Sequence, residues 1–81
     1  MTAEPAPLPA ASADFVQSLA RGLAVIRAFD ADHAQLSLSD VARRAGITRA
    51  AAGRFLRTLQ TLGYVRSSGR LFSLTPLVLE R

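Results

Sequence analysis

The sequence predicts a mainly α domain with a small β hairpin, arranged as a winged helix-turn-helix. Three observations carry that expectation. Apolar residues recur at helical spacing in three stretches, 15–29, 38–45 and 49–62. The second and third are separated by only a few residues around Gly46. Directly after Gly63 the period changes from helical to two, and Ser68-Gly69 interrupts it once.

With 81 residues there is room for one small domain, and a 49% apolar fraction is enough to fold it. No apolar run reaches the roughly 18 residues of a membrane span, and no leader pattern is visible, so a cytoplasmic protein with no membrane partner is expected. The absence of cysteine excludes disulfides, thiolate zinc sites and a cysteine nucleophile.

Residues 1–13, with three prolines and no period, read as a flexible arm, and residues 14–75 as the folded domain. The first helix is expected from an N-cap at Asp14 to about Phe29. Its apolar residues Phe15, Leu19, Leu23, Val25, Ile26 and Phe29 span about 160°, against the roughly 100° that one small core requires. Either the edges of that stripe pack under loops, or they meet a second subunit. The second reading assigns Phe15, Leu19, Val25 and Phe29 to a dimer interface.

A polar connection follows. His33 lies in it beside Asp30 and Asp32, but no further ligands occur at useful spacing, so it is expected to be an exposed loop residue and no metal site is assigned. Leu36 to Leu38 could add a short strand. Ser37-Leu38-Ser39-Asp40 forms a capping box with aspartate in the usual glutamate position. The helix it opens buries Leu38, Val41, Ala42 and Ala45, leaves Arg43 and Arg44 pointing away, and ends at Gly46. Thr48 caps the next helix, which runs from about Arg49 to Leu62 and closes at Gly63. Its buried face is Ala52, Phe55, Leu56, Leu59 and Leu62; the opposite face carries Ala50, Gly53, Arg54, Arg57 and Thr61. In the hairpin, a Ser68-Gly69 turn sets Val65 opposite Phe72 and leaves Arg66 and Arg70 toward solvent. Thr75-Pro76 starts another helix, so residues 76–81 read as the beginning of a linker helix.

Charge supplies the functional reading. Residues 41–79 carry Arg43, Arg44, Arg49, Arg54, Arg57, Arg66 and Arg70 and no acid, whereas residues 1–40 are net acidic. Every basic residue is arginine, whose planar fork suits phosphate and guanine edges. A run of like charge can also be merely a solvated face. Here position decides: the outer face of a helix-turn-helix's second helix is the surface that enters a major groove. Arg43 and Arg44 are expected at the DNA backbone, Thr48 and Arg49 at the helix amino end where amides favour phosphate, and Arg54 and Arg57 at base edges. Ala50 and Ala51 allow close approach, and Arg66 and Arg70 set the wing on adjacent phosphates. Gly53, at a cost of about 1 kcal/mol in a helix interior, is the odd member of that DNA-facing set: either close packing against the DNA backbone offsets the cost, or the glycine is tolerated drift.

No catalytic constellation is present, since the single histidine has no serine or cysteine poised beside it, and no cofactor is expected. The alternative function is a winged helix that binds an acidic protein partner.

The stretches FVQSLARGLAVIRAF and LSLSDVARRAGITRAAAGRFLRTLQTLGYV, with a hairpin ending in FSLTPLVLE, resemble the amino-terminal domain of IclR-type bacterial transcription regulators. Ser18-Leu19-Ala20-Arg21-Gly22-Leu23 together with Thr48-Arg49-Ala50-Ala51-Ala52 is most similar to the branch controlling aromatic-acid breakdown through the β-ketoadipate pathway. The resemblance implies a double-stranded DNA operator as partner and a homodimer or tetramer in the full-length protein. It also implies a small-molecule effector, an aromatic acid or a related compound, bound only by a separate carboxy-terminal domain. One departure is Gly53, where members of this branch often carry a basic residue.

Overall fold

A computed structural model describes residues 11–79. The elements are α1 (Gln17–Arg27), β1 (Leu36–Ser37), α2 (Leu38–Ala45), α3 (Arg49–Leu62), β2 (Val65–Ser68), β3 (Leu71–Leu74) and a 3-10 turn over Pro76–Leu79. Three helices and a small antiparallel sheet make a winged helix-turn-helix. The arm assigned to residues 1–13 lies mostly outside the described residues, as does the end of the segment 76–81.

Helix α1 starts later than the Asp14 cap would place it. Asp14 N–H donates to the Ser12 hydroxyl at 3.2 Å and Phe15 N–H to the Ser12 carbonyl at 3.0 Å, so a separate turn engages residues 12–15. Val16 is the N-cap, with no side-chain hydrogen bond. The other two helices begin where their caps predict. Asp40 N–H donates to Ser37 Oγ at 3.2 Å, and Ala51 N–H to Thr48 Oγ1 at 3.1 Å. Gly46 and Gly63 end α2 and α3 with φ of 72° and 91°, the left-handed conformation that only glycine adopts without strain.

The strand order is β1-β3-β2, so β3 is central and β1 completes a three-stranded sheet. Ser37 belongs both to β1, where it pairs with Leu71, and to the start of α2, which it caps. The hairpin register differs from the sequence expectation. Ser68 pairs with Leu71, so the two-residue turn is Gly69-Arg70, and Val65 faces Leu74 rather than Phe72. Gly69 takes φ of 61° while Arg70 stays negative, the type II′ pattern with glycine at the first central position. A two-residue shift leaves every side chain on its original face, so Val65 stays buried and Phe72 and Leu74 still pack on the core.

The core combines Val25, Ala28 and Phe29 with Leu36, Val41, Ala42, Ala52, Leu56 and Val65. Leu56, Val25 and Val41 are the largest side chains fully removed from solvent. Ile47, in the turn between α2 and α3, packs against this cluster. Val25 and Phe29, at 0% and 7% exposure, are therefore occupied inside the domain and are corrected from the dimer interface assigned to them. The wide apolar stripe has a simpler cause in their case: residues from the end of α1 to Phe29 turn inward beneath α2. Phe15 is half-buried, while Val16, Leu19 and Leu23 remain exposed on α1, Leu19 at 61%.

Candidate nucleic-acid interface

Three ion pairs occur among the described residues: His33–Asp30 at 3.0 Å, Arg43–Asp40 at 2.8 Å and Arg44–Asp30 at 3.0 Å. They divide the seven arginines of residues 41–79 into two groups. Arg44 is committed. Its Nε donates to the Ala28 carbonyl at 2.7 Å and Nη2 donates to Asp30, so it closes the carboxyl end of α1 onto α2. The expectation that Arg44 points away is thereby corrected: a carbonyl freed by the end of α1 and a carboxylate on the following turn together draw it inward. Arg43 pairs with Asp40 one turn back but stays 74% exposed, so its guanidinium remains reachable. Arg49, Arg54, Arg57, Arg66 and Arg70 are exposed and have no carboxylate partner among the described residues.

Capping explains how these side chains are aimed. With Thr48 fixing the first turn of α3, Arg49, Ala50, Arg54 and Arg57 face outward. Ala51 is half-buried beside them. Arg49, Ala50, Gly53, Arg54 and Arg57 line one open groove with Leu38 of α2. A second depression, at the amino end of α2, brings Arg49 together with Arg70 of the wing, between Ser37, Ser39 and Phe72. The hairpin turn thus returns its arginine to the start of the helix pair. Arg66 lies on β2 opposite Ser73 and belongs to neither depression. The wing is anchored to α3 from its other side, where Gln60 Nε2 donates to Ser67 Oγ at 3.0 Å and the Thr75 hydroxyl to the Gly63 carbonyl at 2.6 Å.

Two features escape sequence reasoning. Gly53 belongs to the outward face by spacing yet is buried. Arg21, on α1, borders the turn residues Gly46, Ile47 and Thr48 in one depression and Ala51 and Arg54 in another. It adds a cation beside the amino end of α3. Its place on the polar side of α1 is readable from the sequence; its proximity to α3 depends on how the two helices cross.

Asp30 and Asp40 both titrate below the ordinary 3.8. Hydrogen bonding from His33 is the main cause for Asp30, and from Ser37 for Asp40; desolvation, next in size, opposes both, and the Arg43 charge adds to the lowering at Asp40. No group of three or more metal-ligating side chains occurs among the described residues, and His33 is an exposed loop residue hydrogen-bonded to Asp30. None of their helices is long and apolar enough to cross a membrane.

A short capped helix pair, a wing anchored to its second member and an arginine-bearing outer face define the winged helix-turn-helix class. Within that class, residues 18–69 match the pattern of the IclR helix-turn-helix domain, and the chain belongs to that family. It is 52% identical over 66 residues to the Pca regulon regulatory protein of Pseudomonas putida, covering 82% of this chain and 23% of that one. A crystal structure of a protein described as a transcriptional regulator from Rhodococcus sp. RHA1 superposes with a TM-score of 0.77 at 62% identity, over 80% of this chain and 26% of that one. An IclR homologue from Microbacterium hydrocarbonoxydans, crystallised with 4-hydroxybenzoate, gives a TM-score of 0.72 at 26% identity, over 79% and 27%. The chain thus spans about a quarter of the length of these relatives.

Proposed function

We propose that this chain is a sequence-specific reader of double-stranded DNA in a bacterial transcription regulator, with α3 entering the major groove. The observation that carries the reading is the set Arg49, Arg54 and Arg57 on one side of α3, exposed and without carboxylate partners among the described residues, in a chain of the IclR family. Arg54 and Arg57 contact base edges, with Ala50 and Ala51 letting the helix approach closely. Thr48 and Arg49 hold phosphate at the amino end of α3, Arg70 and Arg66 do so from the wing, and Arg43 from α2. Residues 14–75 form the reading domain and 76–81 lead toward an effector-binding domain. Leu19 on α1 and Phe15 in the turn before it contribute to pairing in a homodimer or tetramer. The name of the Pseudomonas relative supports control of aromatic-compound catabolism genes, and the 4-hydroxybenzoate complex supports an aromatic acid as effector of the whole regulator, in the cytoplasm.

The test is selection of bound duplexes from a random-sequence pool by the 81-residue chain. Enrichment of a defined motif that is lost or relaxed in Arg54→Ala and Arg57→Ala is expected. Recovery of no motif, or of the same motif by both variants, would overturn the assignment.

A further inference from the structure

Gly53 lies in the interior of α3, where glycine costs about 1 kcal/mol relative to alanine, and its φ is ordinary, so the backbone does not demand it. Close helix packing does not demand it either. A Cβ placed on Gly53 would find Arg57 as its three nearest neighbours, with Nη1 at 3.2 Å and Cζ and Nη2 at 3.9 Å. The atoms that would crowd a side chain here belong to the arginine one turn onward.

The guanidinium of Arg57 therefore folds back along α3 and rests on the bare backbone of Gly53, which explains why Gly53 is buried while Ala50 and Arg54 are exposed. From that seat the fork lies within the groove it shares with Leu38, Arg49, Ala50 and Arg54. A Cβ at position 53 would push this flexible fork aside by a few tenths of an ångström, and a longer side chain would push it further. Even the smaller shift uses up much of the roughly 0.5 Å within which a bidentate base contact has to be held, so it weakens the contact in part.

We infer that Gly53 is the positioning residue for Arg57: by having no side chain, it seats the Arg57 fork low in the groove and so fixes which base edge that arginine reads. The inference rests on α3 being the reading helix.

The test uses the 81-residue chain with Gly53→Ala, Arg57→Lys and the double variant, each run through selection from the same random duplex pool. Affinities are then measured on the enriched duplex and on single-base-pair changes of it. Arg57→Lys keeps the charge and removes the fork. Gly53→Ala is expected to melt higher than the parent and to lose about three- to tenfold of discrimination at one base pair. Arg57→Lys should lose discrimination at that same base pair, and adding Gly53→Ala to it should change nothing further there. A helix-stability role alone would move melting and leave base preference intact. Unchanged preference in Gly53→Ala, loss at a different base pair, or losses that simply multiply in the double variant would overturn the inference while leaving DNA reading in place. Failure of the parent to enrich any motif would remove both.

Discussion

Replacing Arg44 and replacing Arg49 with alanine delete the same charge, yet the two changes act on different properties. Arg49 is exposed, unpartnered among the described residues, and lines both the groove along α3 and the depression it shares with Arg70. Arg44 is bound to the Ala28 carbonyl and to Asp30. Each phosphate contact contributes about 0.9 to the slope of log affinity against log salt. Between about 50 and 200 mM salt, one contact therefore carries about a 3.5-fold share of the affinity lost. Arg49→Ala should reduce the slope by about 0.9 and weaken binding most at low salt. Arg44→Ala should leave the slope unchanged and instead cost the domain about 1 kcal/mol through the lost hydrogen bond to Ala28. Fluorescence anisotropy on a labelled duplex over a salt series, with urea unfolding of each variant, measures both quantities. An equal drop in slope for the two variants would refute the division of the arginines. So would unaltered unfolding of Arg44→Ala.

Leu56→Ala, at a fully buried position, should destabilise the domain by about 2–5 kcal/mol in urea unfolding, which for so small a core threatens folding altogether. Gly63→Ala should cost about 1 kcal/mol or more, because φ of 91° strains an L-residue and the new Cβ would meet Leu77 Cδ2 at 3.2 Å. Asp30 and Asp40 have lowered pKa values, so their contribution to stability is complete above the ordinary 3.8 and fades as pH falls below it through the folded values. Urea midpoints measured against pH should therefore drop in that acid range, and Asp30→Asn should flatten the drop.

The helix pair is legible in the sequence because local chemistry sets its limits. Ser37, Gly46, Thr48 and Gly63 each satisfy or end a helix through atoms within four residues, so spacing alone locates α2 and α3. The outward set Arg49, Arg54 and Arg57 follows from the same register. What depends on distant partners is not legible in this way. Arg44 is drawn inward by groups 14 and 16 residues away. Val25 and Phe29 are claimed by the core because of how α1 lies beneath α2, which a stripe width does not report. The hairpin turn falls one residue beyond its expected place for a local reason that the sequence does contain. Ser68-Gly69 and Gly69-Arg70 both fit a two-residue loop, and the glycine's need for the first central position selects the second. Burial of Gly53 is hidden from spacing because the covering atoms belong to a long flexible side chain.

Ser37 pairs with Leu71 in the sheet and caps α2 with no residue in between. Such a joint has no slack. One residue thus ties the hairpin, through Leu71 beside its turn, to the start of the helix pair, as the frame of a caliper ties its jaws, and whatever ordering that joint supplies is in place before a partner arrives. A groove of matching width seats against both jaws at once; one that is too wide or too narrow must itself deform.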